Sequence, residues 1–140
     1  MRDLANKGKT TLLIRNLALR LVRRNAQKDF IGEVSKIHRF VRDHIRYVKD
    51  IVGVETVQSP AKTLELGQGD CDDKVTLAGA LLASIGNQVR FVAIGFIPGS
   101  YSHVLLDVRL NQKWIPIETT EPWPLGKLPP GITQRLIVYL

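Results

Sequence analysis

The chain has 140 residues, a net charge of +7, 44% hydrophobic residues and one cysteine. That size suits one domain with a real core, and the apolar content argues against disorder. No apolar run approaches the roughly 20 residues of a membrane span, and a lone cysteine excludes an internal disulfide and a CxxC-type structural zinc site. A reducing, intracellular setting fits this cysteine usage.

The charge is uneven. Residues 1–49 hold 13 Lys or Arg against 4 Asp or Glu, a local +9, whereas residues 50–140 come to −2. An acidic protein or nucleic acid docking on residues 1–49 is one reading of this asymmetry; a pair of Lys/Arg-rich helices facing water is the other. No aromatic platform or base-reading motif accompanies the charges, which favours the solvated faces. Gly8-Lys9-Thr10 matches the end of a phosphate-binding loop, but the first glycine of that motif would fall on Asp3 and no strand precedes it. Leu12 to Val22 is apolar, yet Arg15 and Arg20 interrupt it and no cleavage site follows, so it does not read as a secretory signal.

Ile14, Leu17, Ala18, Leu21 and Val22 recur at helical spacing, which predicts an amphipathic helix over about 10–25. Residues 1–28 are then a basic N-terminal helix that either packs on a single domain of residues 1–140 or projects as an arm. Asp29 is placed to cap a second helix with the stripe Phe30, Val34, Ile37, Val41, Ile45 and Val48. His38 and His44 lie on it among Arg and Lys and read as surface or boundary residues. Residues 50–59 read as a loop, and Ser59-Pro60 starts a short helix through Leu66, stopped by Gly67 and Gly69.

A further helix is expected from Cys71 to Ile85, ended by Gly86-Asn87, with Val75, Ala78, Gly79, Leu82 and Ile85 inward. Strands follow at Val89–Ile97, His103–Leu110 and Lys113–Thr119, then a Pro/Gly-rich extended loop, then a last strand over Arg135–Leu140. Helices first and antiparallel strands after is an α+β arrangement, with the cysteine at the start of a central helix packed on the sheet.

Asp70 and Asp73 form a capping-box variant around Cys71. In a first helical turn the unpaired N–H groups and the helix dipole favour a thiolate, while the neighbouring carboxylates oppose it. An imidazolium is therefore needed nearby. If Asn111-Gln112 is a two-residue hairpin loop, Leu110 faces Lys113, His103 opposes Thr120 and Glu118 opposes Leu105. His103, Leu105, Asp107, Trp114, Pro116, Glu118 and Thr120 then share one face, and Val104, Leu106, Val108, Ile115 and Ile117 form the core face. His103 and Glu118 become diagonal neighbours at about 7–8 Å between backbones, within side-chain reach. Asp107, roughly 13 Å along the strand from His103, is the weaker orienter.

Cys71, His103 and Glu118 thus form a nucleophile–base–orienter set. The Cys71 backbone N–H is the natural oxyanion donor, and Gln68 is a candidate second donor. A metal on Asp70, Cys71, Asp72 and His103 is disfavoured, because successive helical carboxylates point apart, and no cofactor is expected.

From about Ser59 to Pro122 these residues follow one order: Gly-Asp-Cys-Asp-Asp (69–73), an Ala/Leu-rich helix (77–85) with Gly86, Phe91-Val92-Ala93, Ser102-His103-Val104, and Trp114 through Thr120. The segment resembles the transglutaminase-like core of the papain-fold superfamily. The run from Ser59-Pro60 to Thr63-Leu64 is also similar to small transglutaminase-like proteins of bacteriophages and prophages. What the resemblance implies is a Cys71–His103–acid triad for acyl transfer at a protein or peptide amide, in a cytoplasmic, bacterial or phage-encoded protein. The third member is usually Asp in that family; here the matching residue is Glu118. The family holds cross-linking enzymes, proteases, amidases and deamidases, and also inactive members. The alternative is therefore a catalytically inactive phage assembly or binding module.

Overall fold

The computed structural model describes residues 1–49 and 56–140. Among the described residues, five helices and six strands follow in order: α1 (Arg2–Gly8), α2 (Leu12–Val22), α3 (Phe30–His44), β1 (Arg46–Tyr47), α4 (Pro60–Leu66), β2 (Gln68–Gly69), α5 (Cys71–Ser84), β3 (Val89–Gly95), β4 (His103–Leu110), β5 (Lys113–Ile117) and β6 (Gln134–Tyr139). Of the loop expected over 50–59, residues 50–55 lie outside the described residues and 56–59 have no regular structure.

Helix α5 is the centre of the molecule. Helices α1 to α4 pack around it, and β3 and β4 close its remaining side. Val75, Leu77, Ala78, Ala80, Leu81 and Leu82 are all buried, so the inward face expected at Val75, Ala78, Gly79, Leu82 and Ile85 understates a helix that is apolar all round. Residues 1–28 hold two helices rather than one. They do not project: Ala5, Ile14, Ala18 and Val22 join the main core. Thr11 caps α2 and delays its start to Leu12.

The four-stranded sheet is antiparallel in the order β5-β4-β3-β6. Asn111 and Gln112 both take positive φ, 49° and 66°, as a two-residue hairpin loop of matching twist requires. The expected register follows, with Leu110 opposite Lys113 and Leu106 opposite Ile117. Val104, Leu106, Val108 and Ile117 are buried toward the helices. Leu105 packs with Val92 and Ile94 on the other face, under Leu128 and Ile132 of the Pro-rich segment. Strand β5 stops at Ile117 rather than Thr119, and β3 at Gly95 rather than Ile97. No helix among the described residues is long and apolar enough to cross a membrane.

Candidate active site

The cysteine sits where the capping box puts it. Asp73 N donates to Asp70 Oδ1 and Asp70 N to Asp73 Oδ2, both at 3.1 Å, so α5 begins at Cys71. Asp73 is buried, and its Oδ1 also accepts from Gln58 N at 2.7 Å. A Cβ at Gly69 would lie 2.6 Å from that of Asp73, so only glycine fits there. The Gly69 carbonyl accepts from Val48 N at 2.9 Å as part of the parallel β1–β2 pair.

His103 opens β4 and Glu118 follows the last residue of β5. Their diagonal reach is realised: His103 Nε2 lies 2.7 Å from Glu118 Oε2. A carboxylate only accepts, so Nε2 donates, and Nδ1 is the nitrogen left to face the Cys71 side chain, whose influence raises the His103 pKa. Burial pulls the imidazolium down, but Cys71 and Glu118 outweigh it, and the His103 pKa is raised to about 10. Burial would raise the Glu118 carboxyl; bonds from His103 and from the Thr120 and Glu121 N–H groups outweigh that and hold it below its ordinary range. Asp107 is not the orienter, because its Oδ2 accepts from Arg90 Nε at 2.8 Å across the β3–β4 pair.

His103 and Glu118 open onto a cleft of about 400 Å³ whose walls include Tyr47, Phe96, Trp123 and Pro129. The Cys71 N–H lies in the first turn of α5, with no carbonyl four residues back inside the helix. Gln68 stands on β2 and its Oε1 accepts from Arg46 Nη2 at 3.3 Å, so its amide nitrogen is the end able to donate. No metal-binding cluster occurs among the described residues.

The family model for the transglutaminase-like superfamily matches residues 15–119. The chain belongs to the transglutaminase-like superfamily. No curated protein matches it in sequence. Among solved structures it is similar to a candidate protease from Parabacteroides distasonis, with TM-score 0.68 and 13% identity over 87% of this chain and 26% of that one. A candidate cysteine protease from Cytophaga hutchinsonii gives TM-score 0.62 and 17% identity, over 77% of this chain and 37% of that one. This transglutaminase-like chain therefore spans well under half the length of either protein. Calcium-bound LapG from Legionella pneumophila is nearer in size, with TM-score 0.66 and 15% identity over 94% of this chain and 80% of that one. At these identities the likeness is one of fold.

Two buried basic side chains behind this transglutaminase-like site were not expected to be internal from the sequence. His38, expected at the surface or its boundary, is only 2% exposed, and its Nε2 lies 2.6 Å from the Glu118 carbonyl oxygen. Its signal was its place in the stripe Val34, Ile37, His38, Val41, although Ser35 and Arg42 also stand three and four residues away. Phe30, counted in that stripe, is instead exposed, and Val48 lies beyond the helix. His44 is exposed as expected and stacks on Phe40 with ring centroids 5.2 Å apart. Lys74 is 1% exposed and donates to the Arg42 and Ile45 carbonyls; its sequence sign is the largely apolar run over residues 75–82. Arg42 Nη1 donates to the Trp123 carbonyl at 3.1 Å, so part of the basic N-terminal segment serves the cleft wall. Arg20, Arg23 and Arg24 face water.

Proposed function

We propose that the protein is a cysteine-dependent peptidase or amidase that opens a protein or peptide amide bond by acyl transfer. Cys71 is the nucleophile, His103 the acid and base, and Glu118 the orienter. The observation that carries this reading is His103 Nε2 held 2.7 Å from Glu118 Oε2, with Cys71 at the start of α5 acting on the same ring.

In the proposed cycle the thiol proton already rests on Nδ1, as a thiolate–imidazolium pair, and sulfur attacks the carbonyl carbon. The oxyanion faces the Cys71 N–H, with the Gln68 amide as second donor. The imidazolium returns its proton to the leaving nitrogen, and an amine or ammonia departs from a thioester. Water then attacks while His103 takes its proton, and the carboxylic acid leaves with the thiolate–imidazolium pair restored. A second amine in place of water would give cross-linking. Hydrolysis is favoured because the cleft is open, with Tyr47 and Phe96 45% and 39% exposed at its wall.

The test is stoichiometric alkylation of Cys71 by iodoacetamide near pH 6, lost in His103→Ala. A thiol that reacts only above about pH 8.5, as a free cysteine does, overturns the proposal. Incubation with dimethylcasein and dansylcadaverine separates the outcomes: new amino termini or released ammonia without fluorophore mark hydrolysis, and incorporated fluorophore marks amine transfer.

A further inference from the structure

We propose that His38 is a positioning residue of this site: its ring N–H holds the backbone of Glu118 and thereby fixes where the Glu118 carboxylate meets His103. This rests on reading Cys71, His103 and Glu118 as the reacting set.

Register pairing between β4 and β5 ends at Leu106 and Ile117, so Glu118 is the first residue beyond the ladder. There the chain turns toward Thr120, whose N–H donates to Glu118 Oε1 at 2.7 Å. The Glu118 residue is 1% exposed, and a buried carbonyl outside the ladder needs a donor. His38 supplies it from α3, 80 residues away in sequence, at 2.6 Å. A carbonyl only accepts, so Nε2 carries the hydrogen. Burial lowers the His38 pKa, and Arg42 lowers it further, while the Glu118 carbonyl bond and the charges of Asp43 and Glu118 act the other way; the net direction is down, toward the neutral ring. One residue thus has both ends secured, its carbonyl by His38 and its carboxylate by His103 and the Thr120 N–H. A shift of the carbonyl carries the carboxylate with it and loosens the bond that keeps His103 charged.

A His38 that merely fills space would change stability and nothing at His103. Two readouts separate the roles: the NMR titration of His103, with His44→Gln simplifying the spectrum, and the rate of Cys71 alkylation by iodoacetamide at pH 7. His38→Phe keeps a ring and removes the donor. The expected result is a His103 midpoint at least one unit below about 10, with alkylation slowed roughly 10- to 100-fold, as for other partners that orient a functional group. His38→Gln keeps an N–H donor and should recover most of both. A folded His38→Phe protein with the wild-type midpoint and alkylation rate overturns the proposal, as does equal loss in the Gln and Phe variants. If the Phe variant does not fold, His38→Ala takes its place under the same criteria. Wild-type Cys71 that resists alkylation at pH 7 overturns the catalytic reading instead, which keeps the two failures apart.

Discussion

The Lys74 ammonium lies 2.7 Å from the carbonyl oxygen of Ile45 and closes the C-terminal end of α3 from inside the core. The Arg42 carbonyl accepts from the same nitrogen at 3.1 Å. A cation at a helix C-terminus satisfies carbonyls that have no partner in the helix and suits the dipole. Burial dominates nonetheless, and the Lys74 pKa falls to about 8.

That depression has a sign. The unfolded chain, with lysine near 10.5, binds more protons than the folded one between pH 8 and 10.5, so the Lys74 contribution to stability rises with pH across that window. At about 1.4 kcal/mol per unit, the full effect is on the order of 3 kcal/mol. The neutral amine still donates to both carbonyls. Urea unfolding of wild type and Lys74→Met at pH 7 and pH 10 should show wild type gaining relative to the variant at pH 10.

The His103–Glu118 pair runs the other way on the alkaline side. His103 is raised from 6.5 to about 10, so its contribution is complete below 6.5 and lost as pH rises through 10. Glu118 is lowered from 4.5, so its contribution is present above 4.5 and lost as pH falls through its folded value. Stability from the pair is therefore greatest between pH 4.5 and 6.5. Glu118→Gln should flatten both limbs in pH-dependent urea unfolding and lower the His103 midpoint measured by NMR.

Replacing Glu118 by the shorter Asp should not be conservative. The Glu118 carboxylate reaches His103 Nε2 and Thr120 N, each at 2.7 Å, from a backbone already fixed on the His38 side. Removing one methylene draws the carboxylate back by about 1.5 Å, beyond hydrogen-bond range of one partner or both. Glu118→Asp is expected to slow Cys71 alkylation by iodoacetamide as severely as Glu118→Gln.

Asp73→Ala should be strongly destabilising although the residue lies outside the reacting set. It removes the acceptor for two main-chain donors, Asp70 N and Gln58 N, in a buried setting. Loss of a cap and exposure of orphaned donors together cost about 2–4 kcal/mol, measurable as a lower urea midpoint with unchanged m-value.

Much of this was readable because local rules carried it. The Asp70–Asp73 box set the first residue of α5, and the Asn111-Gln112 loop set the register that aims Glu118 at His103. Period-two alternation identified the core face of β4. What was missed depended on neighbours remote in the chain. Lys74 is internal because α5 is enclosed by four helices and a sheet, and the only sequence sign of that is the largely apolar run that follows it. His38 was judged by the Lys and Arg beside it in sequence rather than by the apolar residues beside it on the helix. Helix α1 is only seven residues long, too short to declare itself through periodicity.

The bond between His38 and Glu118 spans 80 residues, and it has a consequence for how the protein is made. During synthesis the thiol of Cys71 emerges long before His103, Glu118 and the turn at Thr120. A ribosome-bound fragment ending before Glu118 carries Cys71 and His103 without the carboxylate that holds the imidazole. The proposed reacting set therefore comes together only when the β4–β5 hairpin forms, and β6, which pairs with β3, is added after it.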